Sequence, residues 1–125
     1  MLALVVDDSR AIRRITREIL EALDVTVLEA ADGRAALDVL SESPGVDLVV
    51  LDLHMPVMNG LELAREVRAR DELRGVRLLM VTSECTREQM VEALGLGIDE
   101  YLTKPFTAEM LVQKLALLGV EAEAR

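Results

Sequence analysis

The chain has no tryptophan and only one each of tyrosine, phenylalanine, cysteine and histidine among 125 residues. A single cysteine excludes an internal disulfide, and a single histidine leaves no His/Cys cluster for zinc. Cys85 therefore reads as a small packing residue, consistent with a reducing compartment. No apolar run approaches the ~18 residues of a membrane span, and the start lacks a charged segment followed by an apolar signal core. A soluble, cytoplasmic protein without membrane insertion is the resulting expectation. Basic charge is also in deficit, since 14 Lys and Arg against 23 Asp and Glu give a net charge of -9. A surface of that sign repels a phosphate backbone, so direct nucleic-acid binding is not expected.

Apolar residues are plentiful at 51%, enough to fill one core in a chain whose length suits one domain. Apolar runs at residues 2–6, 25–28, 46–51, 76–81 and 98–103 read as buried strands, and helix signals separate them. The first helix starts near Ser9, with Ile12, Ile15, Ile19 and Leu23 at helical spacing. Asp32 caps a second through Leu40, and Ser43, Pro44 and Gly45 make the turn that follows. Asn59 and Glu62 have capping-box spacing for a helix over 60–69, as do Thr86 and Gln89 for one that Gly95 or Gly97 ends. A last helix runs from Thr107 to about Leu118, where Leu111, Leu115 and Leu118 read as core. Met55 and Met58 read as loop packing. Five such units predict an α/β fold, a single five-stranded parallel sheet flanked by five helices. The domain is expected over 1–120, with 121–125 a tail or linker stub.

Chemistry gathers where the runs end. Asp7 and Asp8 close the first, Asp52 closes the third, Thr82 ends the fourth and Lys104 follows the fifth. In an open α/β sheet, ligands bind in the crevice beyond the strands' carboxyl ends, so these side chains are expected to meet there. Like charges in a partly desolvated crevice repel and push one pKa upward, which a cation relieves. Oxygen-only donors suit Mg²⁺ or Mn²⁺. A carboxylate beside such a cation can attack a phosphoryl group, and Asp52 is the candidate nucleophile. Metal and Lys104 would neutralise the equatorial oxygens, and the Thr82 hydroxyl can donate to the same group.

Four segments carry a resemblance: Val6-Asp7-Asp8-Ser9, Asp52-Leu53-His54-Met55-Pro56-Val57-Met58-Asn59-Gly60, Thr82-Ser83, and Tyr101-Leu102-Thr103-Lys104-Pro105-Phe106. Over nearly its whole length the chain resembles the receiver domain of two-component response regulators, of the CheY-like kind. The resemblance brings with it the sheet order 2-1-3-4-5 of that flavodoxin-like fold, taken over from known members rather than derived. It implies that Asp52 accepts a phosphoryl group from the phosphohistidine of a histidine kinase or phosphotransfer protein. Asp8 and Asp52 would bind Mg²⁺ together with the backbone carbonyl of His54, and Asp7 would help through water. Lys104 is assigned to a phosphoryl oxygen. Thr82 and Tyr101 are assigned to a switch that alters the face of the fourth helix, fifth strand and fifth helix, and so controls a target protein or an output domain. The resemblance implies a phosphoacceptor with intrinsic phosphotransfer and autodephosphorylation rather than an enzyme.

His54 and Glu84 lie two residues beyond Asp52 and Thr82, at variable positions that tune phosphoryl lifetime in this family. Ser83 and Ile98 stand where alanine is common, and the Ser83 hydroxyl would narrow access to Asp52. From the residues alone, Tyr101 fits a core-packed strand aromatic as well as a switch, and His54 fits a solvated loop side chain. Lys104-Pro105 resembles the family's cis bond, and the sequence leaves its isomer open.

Two other readings use overlapping residues. Phosphatases of the haloacid dehalogenase type also combine an aspartate nucleophile, Mg²⁺, a threonine and a lysine. They resemble Asp-x-Asp at the first strand, whereas here the acid pair comes first and His54 sits where a general acid would be needed. A flavodoxin-like cofactor binder would need a phosphate loop, and Val6-Asp7-Asp8-Ser9 offers two negative charges instead of glycines.

Overall fold

Strand alternation decides how this chain closes on itself. The computed structural model describes residues 1–120; the expected tail at 121–125 lies outside the described residues. Five strands, β1 (Leu2–Val6), β2 (Thr26–Ala30), β3 (Val46–Asp52), β4 (Arg77–Thr82) and β5 (Glu100–Thr103), pair in parallel in the order β2-β1-β3-β4-β5. Successive side chains on a strand point to opposite faces. Leu4, Val6, Val49, Leu51, Leu78 and Met80 therefore fill one core, and Ala3, Val5, Leu48, Val50, Leu79 and Val81 the other. Both faces are covered, as a parallel sheet requires.

Helices α2 (Gly33–Glu42), α3 (Gly60–Arg68) and α4 (Arg87–Gly95) cover the first face with Leu37, Leu40, Leu63, Val67 and Ala93. Helices α1 (Arg10–Glu21) and α5 (Ala108–Leu117) cover the second with Leu20, Leu111 and Leu115. Ser9, Asp32, Asn59, Thr86 and Thr107 each accept a backbone N–H at a helix start. Asn59 with Glu62 and Thr86 with Gln89 form full capping boxes.

Several expectations shift. The inward face of α1 centres on Thr16 and Leu20, leaving Ile15 48% exposed. Ile12, Ile19 and Leu23 are half-buried beside that face. β5 begins at Glu100 rather than Ile98. The Ile98 N–H instead donates to the Ala93 carbonyl at the end of α4, and its side chain fills the first core. Gly97, at φ 85°, takes the left-handed position there, and Gly95 remains within α4. A short 3₁₀ turn at Asp71–Leu73 was not anticipated. Cys85, Met55 and Met58 pack against the first core, and Leu111, Leu115 and Leu118 lie inside the second.

Gly60 ties the fold to the strand ends. Its N–H donates to the Leu53 carbonyl at 2.9 Å, and a Cβ there would collide with the Asp52 carbonyl and come 2.9 Å from Leu53 Cα. Both obstacles are backbone, so neither can step aside cheaply. Gly60→Ala is expected to lower unfolding stability by ~1–3 kcal/mol. Urea denaturation measures this; an unchanged midpoint would show that the approach is slack.

Candidate functional site

The carboxyl end of the sheet collects the chemistry. Asp7 follows β1, Asp52 ends β3, Thr82 ends β4 and Lys104 follows β5. Asp7 and Asp52 are buried and Asp8 is exposed, yet each offers a carboxylate oxygen, all within 4.8 Å of one another. Lys104 Nζ donates to Asp7 Oδ2 at 2.7 Å and to Asp52 Oδ2 at 3.3 Å. The other oxygen of Asp7 accepts the Ser9 N–H at 2.9 Å, and that of Asp52 accepts the His54 N–H at 3.4 Å.

Burial pushes the Asp52 pKa up; Lys104 opposes this and the negative charge of Asp7 reinforces it. Burial also works against the charge on Lys104, but Asp7 and Asp52 together hold its pKa above the ordinary value. Lys104 is shared and stands closer to Asp7, so it compensates Asp52 only in part. Three carboxylates against one ammonium leave two negative charges. Their oxygen-only donor set fits a hard divalent cation.

Two loops meet beside Asp52. Thr82, 1% exposed, donates its hydroxyl to the Glu84 carbonyl at 3.0 Å. His54 Nε2 lies 2.6 Å from the same oxygen. A carbonyl only accepts, so Nε2 carries the proton. His54 is thus exposed but anchored, and Glu84 contributes its backbone while its side chain faces solvent. Ser83 is exposed as well.

Tyr101 is 39% exposed, so it is not packed inside the core. Its ring lies 5.2 Å from Lys114 Nζ, which also pairs with Glu100 at 2.8 Å. The Lys104-Pro105 bond is cis. A recess of about 470 Å³ lined by Leu40, Pro44, Arg70 and Val76 sits at the amino end of the sheet, away from these groups.

Sequence reasoning missed Arg13. Its Nη1 donates to the Asp7 carbonyl at 2.6 Å, and its Nε reaches Glu29 Oε1 at 3.1 Å. Arg17 binds the other oxygen of Glu29 at 2.7 Å, and chiefly through this bond Glu29 is held below its usual range. The signal was available: helical side chains lean toward the N-terminus, so an arginine one turn past the Ser9 cap points back at the strand end.

Among known proteins, the family description "Response regulator receiver domain" matches residues 3–116. The chemotaxis protein CheY of Pseudomonas aeruginosa is 43% identical over 116 residues, covering 92% of this chain and 93% of that protein. The structure of CheY4 of Vibrio cholerae, a chemotaxis response regulator, superposes with a TM-score of 0.87 at 34% identity, covering 94% and 97% of the two chains. A CheY-like receiver domain protein of Methanospirillum hungatei gives a TM-score of 0.87 at 30% identity, over 94% and 91%. Sheet order, chain order and kinship agree, and the chain belongs to the response regulator receiver domains, CheY-like switches of two-component signalling controlled by phosphorylation.

Proposed function

We propose that Asp52 is the phosphoryl acceptor and that a phosphohistidine on a histidine kinase or phosphotransfer protein is the donor. One observation carries this reading: a single ammonium, Lys104, spans Asp7 and Asp52 beside an exposed third acid, Asp8. An Asp52 oxygen attacks phosphorus, the phosphorus–nitrogen bond breaks, and the imidazole nitrogen leaves with the electron pair. Lys104, now bonded to Asp7 and Asp52, would then move to a phosphoryl oxygen. Receiver domains bind Mg²⁺ at an acidic pocket. Here Asp8, Asp52 and the His54 carbonyl would hold it, with Asp7, whose oxygens already accept Ser9 and Lys104, helping through water. Bound Mg²⁺ supplies neutralisation of the phosphoryl oxygens.

The Thr82 hydroxyl then exchanges the Glu84 carbonyl for a phosphoryl oxygen, a stronger acceptor, and this differential bond shifts the population. Tyr101 would turn inward. Around it the α4-β5-α5 face exposes Val91 at 64%, Leu94 at 58% and Met110 at 38%, apolar surface suited to a target protein or an output domain. Hydrolysis of the aspartyl phosphate resets the switch, with His54 and Glu84 setting its rate. The phosphatase alternative is not favoured, since the receiver family accounts for residues 3–116. Among the described residues no helix is long and apolar enough to cross a membrane.

Intact mass after incubation with acetyl phosphate and Mg²⁺ should show one phosphoryl adduct, absent without Mg²⁺ and absent in Asp52→Asn. An adduct that survives the substitution would remove Asp52 as the acceptor. Mg²⁺ should also raise the melting temperature, by the equivalent of about 2.7 kcal/mol at a hundredfold excess over its dissociation constant; indifference to saturating Mg²⁺ would count against the acid site.

Charge linkage gives a further expectation for the metal-free protein. Because the folded Asp52 pKa is raised, stability is lost as pH climbs from the ordinary carboxylate value through the raised one. In chelator at neutral pH, Asp52→Asn should therefore melt above wild type, and the gap should close below about pH 4, where both side chains are neutral. A gap that widens on acidification would refute the sign. Finally, His54→Ala should hasten loss of the phosphoryl group several-fold by opening a path for water, with a smaller effect from Glu84→Ala. Equal decay rates in all three proteins would dispose of lifetime control by these positions.

A further inference from the structure

Among the described residues, the Glu84 carbonyl is the one acceptor at this site with two side-chain donors from different strand ends. Thr82 Oγ1 reaches it from β4 at 3.0 Å, and His54 Nε2 reaches it from the loop after β3 at 2.6 Å. A carbonyl has two lone pairs and can satisfy both donors. Each donor draws density from the same oxygen, however, so each bond is weaker than it would be alone. Thr82 has a single hydroxyl proton, and it can serve the Glu84 carbonyl or a phosphoryl oxygen but not both.

We propose that His54 is a positioning residue that eases the Thr82 exchange by sharing the Glu84 carbonyl. With His54 in place, Thr82 gives up a weakened bond, and the carbonyl it leaves keeps a donor. Without the imidazole N–H, Thr82 becomes the sole side-chain donor, holds the carbonyl more tightly, and leaves it dependent on water when it goes. The role differs from obstruction of water, which needs only the bulk of the ring. It assigns the effect to one proton at Nε2 and to one partner residue. The inference rests on the reading of Asp52 as the phosphoryl acceptor.

Beryllofluoride with Mg²⁺, an analogue of the aspartyl phosphate, tests it as a binding equilibrium free of hydrolysis. Affinity would be measured for wild type, His54→Phe (ring kept, donor lost), His54→Gln (donor kept), and for His54→Phe placed in a Thr82→Val background. His54→Phe should weaken binding by about twofold to tenfold, a part of what one exposed hydrogen bond contributes. His54→Gln should recover most of the loss, and in the Thr82→Val background His54→Phe should have no effect, since no hydroxyl remains to release. The Cys85 amide nitrogen, bonded to the Glu84 carbonyl carbon, should shift in the free His54→Phe protein and return toward the wild-type position in His54→Gln. Binding by His54→Phe as tight as wild type or tighter, or an equal loss with and without the Thr82 hydroxyl, would overturn the proposal while leaving the acceptor reading intact. No beryllofluoride binding by wild type would instead overturn the acceptor reading and this inference with it.

Discussion

Repulsion among Asp7, Asp8 and Asp52 is the constraint around which this structure is arranged. Bringing three carboxylates within 4.8 Å in a partly desolvated crevice is unfavourable, and the Asp52 pKa is raised by burial first, with the negative charge of Asp7 adding to it. The fold sustains the arrangement with one shared ammonium at Lys104, a backbone N–H from Ser9 and the Arg13 clamp on the Asp7 carbonyl. A residual negative charge remains. That imbalance and the oxygen-only donor set suit the crevice to a hard cation.

The sheet supplies the precision this requires. β1, β3 and β4 are packed on both faces, so the residues at their carboxyl ends inherit positions set by two dense cores, while β5 is anchored through Leu102 in the second. Gly60 adds a second restraint by pressing α3 directly against the backbone of Asp52 and Leu53. Asp52 is thereby held on a rigid element, while Thr82 at the end of β4 meets His54 and Glu84 in the loops beside it. On the proposed reading, a rigid acceptor next to adjustable hydrogen bonds is what a binary switch needs, because the signal would lie in which acceptor the Thr82 hydroxyl chooses.

Much of the fold was legible because its signals are local. Capping residues Ser9, Asp32, Asn59, Thr86 and Thr107 act within one helical turn, and apolar runs of strand length stand out in any window. The misreadings fell where tertiary packing overrode such patterns. Ile15 looked like part of the buried stripe of α1, but the sheet admits Thr16 and Leu20 instead. Ile98 looked like the start of a strand, but its N–H is drawn to the Ala93 carbonyl at the end of α4.

By itself, then, the sequence determined the alternation of strands and helices, the acids and lysine at the strand ends, and the excess of negative charge. Each depends on residue type and short spacing. Only the tertiary structure decided that Lys104 sits nearer Asp7 than Asp52, that Arg13 secures the Asp7 carbonyl, and that His54 and Thr82 share the carbonyl of Glu84. Those contacts join residues from separate strand ends, loops and the first helix, and two backbone oxygens, those of Asp7 and Glu84, take part. Every residue carries such an oxygen, so no pattern of side chains can announce which one will be used.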